Sequence, residues 1–377
     1  MKRIAVLGGG PAGAFAAEKL ATAGLDVILL DEKLAWEKPC GGGLTYKAYN
    51  QYPFLIENNT PKRLVTQTYL STSRTGAAKM ALTKPLVIYS RFELNQMLLR
   101  RAEAAGAQLE KARVLSIDRA GRGWSVKTRA GKLDVDYCVV ATGARNPLRE
   151  VGTQLATGDT MIAMGYYVPG EQDHVDLEFF AGFEGYIWVF PRNGHLSVGI
   201  GGKGEPAQKL RARLERYMAK KDISLTGATF YSHLLPSLQR PAWKTNRVSG
   251  YGWMAVGDAA GLVDPITGEG LYYAVRSADI AAGLILSGQT QAYRERLQSD
   301  FIGDLELASK LGPWLFLDSF LCGSVTERMI QFMRRSPTLC DIVQDLFAGT
   351  QNYLDLKARL KRNVRSTFQE VVFHPFS

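Results

Sequence analysis

At both ends of the chain, unbroken apolar runs alternate with helix-forming stretches, while between them apolar and polar residues alternate singly. Ile4–Leu7 is a branched apolar run suited to a strand buried on both faces, and residues 12–23 are rich in helix formers, with Gly24 placed to stop that helix. "DVILLDEK" predicts a second buried strand ending at Asp31. Phe92, Leu94, Met97, Leu98 and Ala102 recur with a helical period that ends near Gly106. From Arg113 to Val140 the period falls to two, in "RVLSID", "WSVKT" and "LDVDYCVVATG", which predicts a three-stranded meander leading into a buried strand. More strands are expected between Gly165 and Gly202, with Asn193-Gly194 as a hairpin turn. Strand, turn and helix return at "WMAVGDAAG", and from about Ser287 the chain reads as helical.

Nucleotide-type elements thus stand on either side of a sheet-rich middle. The expected fold class is α/β with an α+β insertion: a discontinuous Rossmann-like domain over 1–160 and 250–290, an antiparallel-sheet substrate domain over 161–249, and a helical C-terminal region over 291–377. A contiguous nicotinamide dehydrogenase does not have this order.

Composition narrows the class without choosing a chemistry. With 46% apolar and 22% charged residues the chain reads as a globular protein, and no stretch has the roughly 18 apolar residues of a spanning helix. The expected location is cytoplasmic, with contact at the inner face of the membrane kept open. Cys40, Cys138, Cys322 and Cys340 are too dispersed for a close-spaced zinc site, and the four histidines form no cluster, so no metal is expected. A net charge of +10 fits an anionic cofactor or a membrane surface. No nucleic-acid module accompanies it, and no nucleic-acid partner is expected.

Chemistry concentrates in two segments. Gly8, Gly10 and Gly13 give G-x-G-x-x-G at a strand-to-helix junction, where the first glycine permits the turn, the second admits a pyrophosphate and the third lets the helix meet the strand. Pro11 and Ala12 open the helix whose N-terminus would face the phosphates, and Asp31, with Glu32 beside it, lies about 20 residues on, where a ribose hydroxyl is bound. In the second segment, "GDAAGLVDPITGEGL", Gly257 and Asp258 follow a buried strand, so Asp258 can accept hydrogen bonds from a ribityl chain. Pro265 and Gly268 shape the loop before a helix beginning near Gly270, with Leu271 in its first turn, whose first N–H groups can face a carbonyl or a developing anion.

These paired signatures, with "SRFEL" between them, resemble the flavoprotein group that includes p-hydroxybenzoate hydroxylase. Within that group, "PCGGG" at Pro39–Gly43 and "YIWVFP" at Tyr186–Pro191 are similar to the geranylgeranyl reductases, over roughly residues 1–290. The resemblance implies a Rossmann-like FAD-binding domain and saturation of carbon-carbon double bonds in an isoprenoid or related hydrophobic substrate. It implies Arg91 against the flavin side of the nucleotide, Cys40, Gly41 and Gly42 near the isoalloxazine, and Ala141 and Gly143 in the cofactor wall. Cys40, Gly42, Tyr186 and Trp188 become the candidate catalytic positions, with Cys40 and Tyr186 as proton carriers. One segment departs from the group: in "ATGARNPLR", Arg145 and Asn146 replace an acid and a glycine while Arg149 remains, so NADPH, NADH and ferredoxin all stand as reductants, the last as a partner protein.

Several bland readings compete with these. An aromatic stripe of Tyr186, Trp188 and Phe190 is either strand core or the roof of an apolar tunnel. Cys40 is either a small buried residue in a glycine turn or a thiol beside the flavin, the glycines leaving room for a flat ring. A flavin monooxygenase or halogenase shares both flavin motifs, and a non-catalytic flavin-bearing lipid-binding or sensor protein is the reading of another class. At the C-terminus, Leu356, Leu360, Val364 and Phe368 recur every fourth residue among Lys357, Arg359, Lys361, Arg362 and Arg365, which suits either a surface helix or a membrane contact; "LGPWLFLDSFLC" adds an apolar stretch upstream.

Overall fold

The apolar runs at the two ends of the chain assemble into one six-stranded sheet, in the order Ser249–Gly250, Trp253–Ala255, Tyr137–Val140, Arg3–Leu7, Asp26–Asp31, Gln108–Lys111. All neighbours run parallel except the edge pair Ser249–Gly250 and Trp253–Ala255. The computed structural model describes residues 2–148, 151–319 and 323–373. Ile4, Val6, Leu29 and Val139 are wholly buried, as a parallel sheet covered on both faces requires. In the helix Pro11–Thr22, Ala14, Ala16 and Ala17 are also wholly buried, and their short side chains let it lie close to its neighbours. The predicted meander forms its own antiparallel sheet of Val114–Ala120, Gly123–Thr128 and Lys132–Val135.

A second sheet has eight strands, ordered Thr229–Pro236, Thr160–Pro169, His195–Gly202, Gly185–Arg192, Val175–Phe179, Arg63–Thr72, Ala78–Ile88, Gly43–Leu44. The turn between Gly185–Arg192 and His195–Gly202 is the expected Asn193-Gly194 hairpin. One face carries Ile187, Val189, Val198 and Ile200, which bury against Leu210, Leu214, Tyr217 and Met218 of the helix Ala207–Lys220. The other face carries Tyr186, Trp188 and Phe190. Beyond it come the helices Val325–Met333, opened by a Ser324/Glu327 capping box, Pro337–Ala348 and Tyr353–Phe373.

The chain divides into two compact units: residues 1–38, 91–160 and 234–306, and residues 39–90, 161–233 and 307–377. These bounds differ from those expected. Residues 39–90 leave the nucleotide-binding unit because Arg63–Thr72 and Ala78–Ile88 pair into the eight-stranded sheet. The period-two burial of "RLVTQTYLST" is the signal that the sequence reading passed over. Residues 307–377 join that second unit rather than standing apart. Arg149 and Cys322 lie outside the described residues.

Candidate functional site

In the first unit, strand order reverses beside Arg3–Leu7, whose neighbours are Asp26–Asp31 on one side and Tyr137–Val140 on the other. That switch point is where an open α/β sheet leaves a crevice at its carboxyl ends. Gly8 adopts φ +117°, and a Cβ there would lie 2.2 Å from the Ala141 carbonyl oxygen; at Gly13 it would lie 1.9 Å from the Gly8 carbonyl oxygen. Both glycines therefore serve the protein's own close approach. Gly10 is different. Its φ is an ordinary −68° and a Cβ would meet nothing within 4 Å. The protein has no need of glycine there, so the space suits a ligand. The helix that follows has no side-chain cap and no acid in its first turn, leaving the N–H groups of Ala12 and Gly13 to an outside acceptor.

Asp31 is anchored at this edge: its carboxylate accepts from the N–H groups of Gly9 (2.7 Å), Lys33 (2.7 Å) and Leu34 (2.6 Å). Three bonds leave a carboxylate with acceptor capacity for one more partner. Glu32 points outward and reaches Arg113 at 3.7 Å. Asp258, at the end of Trp253–Ala255, is paired with Lys38 at 3.2 Å. A Cβ on Gly143 would come 3.9 Å from the same Lys38 ammonium, and one on Gly270 would come 3.5 Å from Asp258. The loop between Asp258 and Leu271 is built by Asp264, whose carboxylate accepts from the N–H groups of Ile266 and Thr267, with Pro265 buried and Gly268 at φ +71°. The helix Leu271–Leu286 again opens without a side-chain cap or an early acid.

Arg91 heads the helix Arg91–Ala104, its backbone N–H held by Glu37 at 2.9 Å. Its side chain is 4% exposed and gives Nη2 to Asn95 at 3.3 Å. The buried Nε has no partner among the described residues, a charged donor awaiting an acceptor. Asn146, at the point of departure in "ATGARNPLR", is absorbed by its own loop: it accepts from Thr142 and from the Leu148 N–H and donates to Val151.

The second unit brings together the two segments that carry the narrower resemblance. The Phe190 ring covers the Cys40 turn so closely that a Cβ on Gly41 would lie 3.2 Å, and on Gly43 3.0 Å, from it. Gly42, at φ +82°, would put a Cβ 2.1 Å from the Tyr89 carbonyl oxygen. A flat ring that these glycines admit is that of Phe190. The Cys40 thiol is half-buried, with its sulfur accepting from the Gly42 N–H at 3.3 Å. The Cys40 carbonyl accepts from Arg192, which is fully buried, and from Ser197 at 3.2 Å. Ser197 is bonded in turn to the Tyr231 hydroxyl at 3.0 Å, a phenol that burial pushes up to about 12. Nothing in the periodicity marked Arg192, Ser197 or Tyr231. Their roles depend on a turn some 150 residues earlier in the chain.

Along the same face Tyr186 sits 5.5 Å from Phe179 and 6.1 Å from Trp188. Trp188 is only 7% exposed, and its indole lies where a Cβ on Gly199 would be 2.3 Å away. It is built into the sheet, whereas Tyr186 and Phe190 are half-buried.

Residues 2–161 match the family described as Pyridine nucleotide-disulphide oxidoreductase. Over 338 residues the chain is 29% identical to the chloroplastic geranylgeranyl diphosphate reductase of Oryza sativa subsp. japonica, covering 79% of this chain and 69% of that protein. It is 29% identical over 365 residues to the menaquinone reductase of Mycobacterium tuberculosis (strain ATCC 25618 / H37Rv), covering 88% of each. The crystal structure of a geranylgeranyl bacteriochlorophyll reductase-like protein from Thermoplasma acidophilum shares the fold with a TM-score of 0.76 at 21% identity, over 96% of this chain and 98% of that one. The chain is thus similar to FAD-dependent oxidoreductases. For an FAD-dependent oxidoreductase the residues of the first unit fit: open space at Gly10, two uncapped helix N-termini, a carboxylate with spare acceptor capacity and a buried arginine Nε without an acceptor. Lys38, Glu37 and Asp264 complete that cradle, and the sequence reading missed all three. Among the described residues no group of His, Cys, Asp and Glu is arranged to hold a metal.

Proposed function

We propose that this chain is an FAD-dependent reductase that saturates carbon-carbon double bonds in an isoprenoid-type substrate. The observation that carries the reading is the meeting of the Cys40 turn with the Tyr186–Pro191 strand, the two segments whose resemblance to geranylgeranyl reductases is narrowest. The names of the rice and mycobacterial relatives, one acting on a prenyl diphosphate and one on a prenylated quinone, support the same substrate class.

FAD, when bound, supplies the hydride chemistry. The amides of Ala12 and Gly13 would hold the negative charge of its diphosphate, with Arg91 on the flavin side of the nucleotide; Asp31 would take the ribose, and Asp258, set by Lys38, a hydroxyl of the ribityl chain. In the second unit, the half-buried Tyr186 and Phe190 offer flat apolar surface to an isoprenoid chain. Cys40 and Tyr186 are both half-buried and proton-bearing, and they are the proposed proton carriers. Arg192 and Ser197 hold the backbone from which Cys40 projects.

Holoenzyme reduced with dithionite under argon tests the substrate class without requiring the natural electron donor. Geranylgeranyl diphosphate should reoxidise the bound flavin, and an aromatic acid of similar size should not. Reoxidation by neither of them would contradict the proposal.

A further inference from the structure

The C-terminal helix Tyr353–Phe373 has one face fixed to the protein and one face left outside. On the fixed side, Arg359 pairs with Asp345 at 2.7 Å, and the Glu370 carboxylate accepts from the hydroxyl and N–H of Thr338 at 2.6 and 3.2 Å. On the outer side, Leu360, Val364, Phe368 and Val372 are 41, 64, 68 and 55% exposed. At 3.6 residues per turn these four advance by about 40° per step, so they share an arc of about 120°. Lys357 and Lys361 fall within the same arc and Arg365 about 20° beyond its edge; all three are exposed and make no ion pair among the described residues. The helix has two acids, Asp355 and Glu370, and neither lies on this arc. Leu356, expected as part of the stripe, is turned partly inward.

We propose that this outer face docks the protein on an anionic lipid membrane, with the helix lying along the surface. Apolar side chains interleaved with cations, and no acid among them, match a layer that is apolar inside and negative at its surface. A second copy of the chain fits poorly, because a symmetric contact would set three cations against three. No helix of the described residues is long and apolar enough to cross a membrane, so the contact is interfacial. The proposal stands on this helix alone and does not depend on the reaction assigned above.

Cosedimentation of the full chain with phosphatidylglycerol and phosphatidylcholine vesicles, across a salt series, tests it. Binding to phosphatidylglycerol should exceed binding to phosphatidylcholine and should weaken as salt rises. Replacing Lys357, Lys361 and Arg365 together by Gln should weaken partitioning about a hundredfold. Val364→Ser with Phe368→Ser should abolish binding without lowering the melting temperature, because both side chains are already exposed. Equal binding to the two lipids, unchanged binding of the triple variant, no binding at all, or a dimer in solution that Phe368→Ser dissociates would each overturn the proposal.

Discussion

Gly10 separates ligand from fold more cleanly than its two partner glycines. Because a side chain there meets no protein atom and the backbone is unstrained, Gly10→Val should stay within about 0.5 kcal/mol of the parent in stability and yet lose FAD, read from absorbance after desalting. Retention of stoichiometric FAD would refute the cradle. Gly13→Ala should instead destabilise the fold, since its Cβ collides with the Gly8 carbonyl. Of the two sequence readings of Trp188, strand core and tunnel roof, its burial supports the first. Buried and laid over Gly199, it should cost about 3–5 kcal/mol in urea unfolding when changed to Ala. A Trp188→Ala protein of parental stability with impaired turnover would return the residue to the substrate wall. The glycine fingerprint and Asp258 were legible because their chemistry is local to one turn; Lys38 was not, because its partner lies 220 residues away.

Strands and helices with a strong period were read correctly, including the helix Arg91–Ala104 and the meander. The pairing of Arg63–Thr72 with Val175–Phe179 was not, because register between segments a hundred residues apart leaves no local trace. Glu178 shows what that pairing creates. It sits buried on Val175–Phe179, and burial raises its carboxyl above the ordinary value of 4.5, partly opposed by Lys220 and Lys221. Since the folded state favours the protonated form, Glu178 contributes stability below its ordinary value, and that contribution is lost as pH rises through the raised one. Glu178→Gln should therefore melt higher than the parent at neutral pH, with the difference closing toward pH 4.5. A difference that grew on acidification would show that the ionised group is the stabilised form.

The doubly wound pattern on either side of the sheet-rich middle carried the discontinuous first unit, and the proposed cradle lies at its switch point. What the pattern did not carry was the extent of the second unit, which draws on three separate stretches of chain. Saturation of a double bond is the claim on which the functional reading turns, and it differs from oxygenation by the same cofactor in what the product gains. The decisive measurement is the mass of the product formed from geranylgeranyl diphosphate by the reduced holoenzyme, under argon and again under oxygen-18. The reductase reading requires two hydrogens added per double bond and no heavy oxygen incorporated under either gas. A product carrying oxygen-18, or one formed only when oxygen is present, would contradict it.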